Sequence, residues 1–193
     1  MQNNSIIPII KELEKVYSHL AKEYKLKSRP IITIQSKGRQ KTTLGWFWNK
    51  KWQYGKKEVG EINICAENLN KNPIETLVHE MVHYADSCDN IKDCNAQGYH
   101  NKNFRDRAEM YGLNVKKDGR RGWAYTSISP KLEKLLKKIK INYSVFKMYR
   151  KVNVTKVAPT KMKKYRCECT TVRCATDLQS KCLKCNKLFE EQD

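Results

Sequence analysis

The sequence predicts an α+β fold, a compact domain built on a small antiparallel sheet, and three observations carry that prediction. Apolar residues recur at helical spacing in separate stretches. Glycine-punctuated β-branched and aromatic runs lie between them, and 193 residues suffice for one sizeable core with a small appendage.

The first helix is expected over residues 6–26, where Ile6, Ile10, Leu13, Val16, Tyr17 and Leu20 share a face and Ser28-Arg29-Pro30 ends the pattern. Three strands follow: Ile31-Ile32-Thr33-Ile34, residues 42–48 and residues 61–65, punctuated by Gly38, Gly45, Gly55 and Gly60, with a loop around residues 49–57. Trp46 is expected in the core, and the lining of a cleft is the other place for Trp46, Trp48 and Trp52. Asn72-Pro73-Ile74-Glu75 reads as a helix start, with a capping side chain, proline where no N–H is needed and an acid in the first turn. A loop over residues 87–99 leads to a helix over 101–111 closed by Gly112, a short strand Gly122-Trp123-Ala124-Tyr125-Thr126, and a lysine-rich helix from Pro130 to about 140. The organisation expected is a domain over 1–150, a basic linker over 151–163 that includes Pro159, and a cysteine-rich tail over 164–193.

Composition narrows the class. No apolar run reaches the length of a membrane span, and Ile6 to Ile10, interrupted by Pro8, lacks the layout of a signal peptide, so a cytoplasmic protein is expected with no membrane partner. In that reducing setting, clustered cysteines point to metal rather than disulfides. The formal charge is +19, from 39 Lys+Arg against 20 Asp+Glu, a field that favours polyanions and nucleic acid above all. Residues 131–166 hold 13 Lys or Arg and one acid, Glu133, with Tyr143, Phe146, Tyr149 and Tyr165 interleaved, the mixture suited to pairing phosphates and stacking bases. DNA is the partner expected there.

The most informative stretch is His79-Glu80-Met81-Val82-His83. Residues four apart share a helix face, so the two imidazoles can converge on one metal ion with Glu80 beside them. Leu77, Met81, Tyr84 and Ala85 make this helix buried, and Glu80 is the only charged residue between Thr76 and Ala85. A buried carboxylate flanked by two histidines fits a zinc hydrolase in which Glu80 acts as general base and then general acid.

Catalytic zinc takes three protein ligands and keeps one position open. His19 lies on the first helix, which leaves His100 as the favoured third ligand, with Asp86, Glu109, Cys88 and Cys94 as competitors. Tyr125, Tyr99 and Arg121 are equal candidates for a donor to the charged intermediate. A second zinc is expected in the tail, where Cys167-Glu168-Cys169 and Cys182-Leu183-Lys184-Cys185 offer four thiolates from two knuckles 12 residues apart. The first knuckle is one residue short, so Cys174 stands as a substitute for Cys167 or Cys169.

Together these residues resemble the SprT-like family, which includes the Spartan proteases. The resemblance is carried by Leu44-Gly45-Trp46-Phe47, Glu61-Ile62-Asn63-Ile64, the stretch Leu77 to His83, Gly98-Tyr99-His100-Asn101-Lys102-Asn103-Phe104, and both cysteine pairs. It implies a zincin fold with a C-terminal zinc ribbon, His79, His83 and His100 as zinc ligands, Glu80 as the catalytic acid/base, and a DNA-dependent protease acting on DNA-bound or DNA-crosslinked proteins at the nucleoid. Thr170 and Asn186 depart from the family pattern, standing where glycines commonly follow the second and fourth ribbon cysteines. The reading from another class is a DNA-binding or regulatory protein whose zincin site is vestigial.

Overall fold

In a computed structural model the chain divides into two compact units, Met1–Val152 and Asn153–Asp193. The structure describes residues 5–36, 42–151 and 162–192, so Gly38 and most of the expected linker lie outside the described residues.

The first unit is α+β. Helix α1, Ile7–Glu23, buries Ile9, Leu13, Val16, Tyr17 and Leu20, the spacing that puts one apolar stripe against a core. Strands β1 (Ile31–Gln35), β2 (Gly45–Tyr54) and β3 (Lys57–Cys65) form one sheet in the order β1-β3-β2. The sheet is mixed rather than antiparallel: β2 and β3 make an antiparallel hairpin, but β1 runs parallel to β3, pairing Ile32 with Ile62 and Ile34 with Ile64. The chain leaves β1, enters the sheet again at the far edge and returns through the centre, so β3 is flanked on both sides. Residues 60–65 are accordingly all buried.

The expected loop over 49–57 is instead strand and turn, because β2 continues to Tyr54 through a bulge between Trp48 and Trp52. Trp46 is only half-buried and lines a cleft rather than joining the core, while its neighbour Phe47 packs on the core with its ring edge against Tyr84.

Helix α2, Pro73–Cys88, crosses the sheet. Its start differs from the expected cap. Asn72 takes a left-handed conformation (φ 49°, ψ 53°) and caps no N–H, its side chain lying near the Glu75 carboxyl instead. Leu77, Val78, Met81 and Val82 are fully buried. Close approach of helix and sheet demands a glycine at 45: a Cβ there would lie 2.6 Å from Thr76 Cγ2 and 2.7 Å from the Asn63 carbonyl oxygen.

Helix α3, Lys102–Met110, is capped by Asn101, whose side chain accepts from the N–H groups of Asn103 and Phe104. It leads into a hairpin of β4 (Leu113–Asp118) and β5 (Gly122–Ile128). Strand β4 was not signalled by the sequence, since Leu113 and Val115 are its only apolar residues, and β5 runs two residues past its expected end. Helix α4, Pro130–Ile139, buries Leu132, Leu136 and Ile139 and leaves Lys131, Lys134, Lys137 and Lys138 exposed. Among the described residues no helix is long and apolar enough to cross a membrane.

The second unit holds β6 (Lys163–Arg166), β7 (Thr171–Cys174) and β8 (Glu190–Gln192) in the order β7-β6-β8, all antiparallel. Its only buried residues among those described are Tyr165, Cys167 and Cys182.

Candidate metal centres

Helix α2 presents His79 and His83 one turn apart, and the segment before α3 brings His100 to meet them. His100 is fixed through its backbone: its N–H donates to the Arg121 carbonyl and its carbonyl accepts from the Trp123 N–H. Gly122 makes this possible, because a Cβ there would lie 2.1 Å from the His100 carbonyl oxygen at a φ of +67°. Phe104, fully buried, lies against all three imidazoles, with ring centroids 4.4 to 4.8 Å away.

The three Nε2 atoms converge. His100 Nε2 lies 3.3 Å from His79 Nε2 and 3.1 Å from His83 Nε2. Tetrahedral zinc with Zn–N bonds of 2.0 to 2.1 Å separates its nitrogens by about 3.3 Å, so the donor set fits that ion. Burial first, and the neighbouring imidazoles second, hold His79 well below its usual pKa and push His100 down to about 4. Neutral imidazoles are the form that ligates.

The outer nitrogens are held as well. His83 Nδ1 meets Asp93 Oδ2 at 2.5 Å, with both side chains nearly covered. Burial works against charge on either partner, but their mutual hydrogen bond and attraction win, raising His83 and lowering Asp93. His79 Nδ1 approaches Thr126 Oγ1 at 3.4 Å, and that hydroxyl donates to Glu75 at 3.2 Å. Such outer partners set the tautomer and ring orientation of a metal-binding histidine. Sequence reasoning missed Asp93, Thr126 and the histidine-supporting role of Glu75. The only available signal was the general need of a ligating histidine for a second partner.

Glu80 is buried beside the triad, in the same cleft, and burial raises its pKa to about 7, with His83 pulling it back and Asp93 pushing it further up. The cleft measures ≈ 1050 Å³ and is walled by β2 on one side and by Arg121 and Tyr125 on another. Tyr99, the third candidate donor, is not among its lining residues.

None of the competing ligands joins the group formed by His79, His83 and His100. Asp86, 1% exposed, pairs with Arg107 Nε at 2.5 Å. Glu109 is exposed on α3, and Cys88 contacts Ser28 Oγ at 3.4 Å. Cys94 lies in a group with His83 and Asp93 rather than with the three Nε2 atoms, and burial, with the Asp93 charge beside it, pushes its thiol pKa up to about 11. His19 donates its Nδ1–H to the Lys15 carbonyl of its own helix at 2.8 Å.

In the second unit Cys167, Cys169, Cys182 and Cys185 place their sulfurs within 4.8 Å of one another. Two separations are 3.7 Å (Cys167–Cys169) and 3.4 Å (Cys169–Cys182), near the roughly 3.8 Å expected around zinc with 2.3 Å Zn–S bonds. Backbone N–H groups of Cys185 and Lys184 push the Cys182 thiol down to about 6, toward the thiolate that binds metal. Asn186 adopts the left-handed conformation (φ 56°), and asparagine is among the side chains that tolerate it best. Thr170 needs no such conformation; its carbonyl accepts the Cys167 N–H. Cys174 stands apart, its sulfur beside Thr176.

No protein-family model, curated protein or solved structure matches the chain.

Proposed function

We propose that the chain is a zinc-dependent metalloendopeptidase of the SprT-like, zincin type, with a C-terminal zinc ribbon. The observation that carries it is the convergence of three Nε2 atoms beside a buried carboxylate in an open cleft. His79, His83 and His100 would hold the catalytic zinc, and the four clustered cysteines a structural one. When bound, the catalytic ion supplies Lewis acidity and lowers the pKa of water.

The protein's own part is positional and protonic. Glu80 takes a proton from the attacking water and returns it to the leaving amine, and its elevated pKa suits both transfers near neutral pH. Asp93 and Thr126 hold the imidazoles so that their Nε2 lone pairs face inward. A Glu is not needed for zinc binding. A buried one, maintained against desolvation, therefore favours an enzyme over a binding module with a vestigial site.

We further assign DNA-bound proteins as the substrate class. The charge of +19 and the exposed lysine face of α4 support attraction to nucleic acid, and so to proteins held on it at the nucleoid. The test is Glu80→Gln against the parent on a protein crosslinked to DNA, with zinc content measured in both. Cleavage by the parent alone, at equal zinc, is expected. Equal behaviour of the two leaves only the regulatory, DNA-binding reading.

A further inference from the structure

The outer half of the β2–β3 hairpin does nothing for the core. Every residue from Trp48 to Glu58 is exposed, yet the stretch carries Trp48, Trp52 and Tyr54. In the strand register these three stand opposite Glu61, Val59 and Lys57, alternate positions of β3, so they fall on one face of the ribbon. They are 51%, 46% and 81% exposed. Three large aromatic rings on one exposed face mark an interaction surface rather than scattered surface apolarity.

The face is also built. Trp52 donates its indole N–H to Glu61 Oε2 at 2.6 Å, and Glu61, 2% exposed, takes a second bond from Gln35 at 3.1 Å. A buried carboxylate thus fixes a ring whose surface remains half in solvent. The surrounding charge is one-sided: Lys50, Lys51, Lys56 and Lys57 against Glu58, which Lys50 already neutralises at 3.1 Å. Lys51 sits 4.6 Å from the centre of the Trp48 ring, a contact that a base and its phosphate can replace in kind.

We propose that this hairpin is a platform for single-stranded nucleic acid, with bases stacking on Trp48, Trp52 and Tyr54 and phosphates held by Lys51, Lys56 and Lys57. Side chains on one face of a strand repeat about every 7 Å, which leaves room for a base at each of Trp52 and Tyr54. A duplex keeps its base faces stacked inside and cannot use such rings. An apolar peptide would find the rings but gain nothing from the lysines, so the charge selects the polyanion. The platform rings are not among the cleft's lining residues, yet the two are continuous: β2 lines the cleft with Gly45, Trp46, Phe47 and Asn49 and carries the rings outward beyond it. Binding itself does not depend on the protease reading; the consequence that a bound strand is held beside the histidine site does.

The full chain is titrated with a short oligothymidylate, following tryptophan fluorescence, and compared with the matching duplex. Tighter binding to the single strand is expected, with quenching. Tyr54→Ala and Trp48→Ala are each expected to weaken it by about 5- to 150-fold, with zinc content unchanged, and Tyr54→Phe to keep the parent affinity. Lys56→Ala and Lys57→Ala are each expected to lower the salt slope by about 0.7, while the aromatic variants leave the slope alone. Parent affinity in both alanine variants, or equal loss on duplex, overturns the platform. So does normal oligothymidylate binding combined with lost cleavage of a DNA-free protein, which makes the hairpin a peptide-docking surface. If the platform variants lose the single strand while Glu80→Gln matches the parent in every assay, the platform stands and the protease reading falls.

Discussion

The histidine and cysteine clusters present similar ligand spacings, 3.1 to 3.3 Å between nitrogens and 3.4 to 3.7 Å between sulfurs, in opposite surroundings. The histidines stand on a helix whose Leu77, Val78, Met81 and Val82 are fully buried, over the floor of Phe104. The cysteines stand in a unit whose covered side chains, among the described residues, are Tyr165 and two of the ligands themselves. In the first case an apolar core positions the donors. In the second the cysteines are the core, so that metal binding and folding would be one event.

The largest expected effect follows from that difference. Chelation is predicted to abolish amide protection throughout residues 163–192 while the body carrying α1 to α4 keeps its protection. For comparison, apparent binding free energies for structural zinc in finger peptides are about 10–16 kcal/mol, more than so small a unit recovers by burial. Hydrogen exchange with and without chelator reads both units in one experiment. Cys169→Ser is expected to have the same effect on the second unit alone, taking zinc content from two to one. Protection of β6, β7 and β8 in the metal-free chain would remove the contrast.

A smaller effect tests the other half of the comparison, that the histidine site rests on tight packing. Gly45→Ala puts a methyl group within 2.6 Å of Thr76 Cγ2 and 2.7 Å of a backbone oxygen, which cannot swing away, and 3.3 Å from Glu80 Oε1. Overpacking of this kind costs about 1–3 kcal/mol. Denaturant unfolding of the first unit is expected to show that loss equally with and without zinc. A loss confined to the zinc-loaded protein would mean that the metal, rather than the core, sets the spacing of α2 and β2.

Much of the site was legible because its signals are local. His79, Glu80 and His83 follow from helical periodicity, and His100 from the scarcity of histidines together with its place immediately before the next helix. The cysteine pairs are visible by spacing. What escaped was long-range or depended on backbone choices that many side chains permit. Nothing within Ile31–Gln35 says that its partner is β3 in parallel, because a β-branched run pairs equally well in either direction. Asn72 has the right chemistry for a cap but a left-handed backbone that turns it to another use. Asp93 lies in a polar loop with no periodicity, and only the fold brings it to His83. Trp46 lines the cleft instead of the core because burial of tryptophan is a tendency of the residue, whereas the cleft is a property of the assembled sheet and helix.

The two outer partners of the histidines give the finest test of preorganisation, because they differ in strength within one site. Asp93 meets His83 at 2.5 Å with charge on its side, whereas Thr126 meets His79 at 3.4 Å, near the outer limit of a hydrogen bond. Removing the outer partner of a ligand typically costs about 10- to 100-fold in metal affinity, and Asp93→Ala is expected within that range. Thr126→Ala is expected below it, since Phe104 still packs against the His79 ring at 4.7 Å and limits its rotation. Chelator competition in a Cys169→Ser background, where the cysteine site is silent, measures both. Equal losses would show that orientation comes from the hydrogen bonds alone; a large loss for Asp93 and a small one for Thr126 would show packing and charge dividing the task, with the aromatic floor carrying the weaker side.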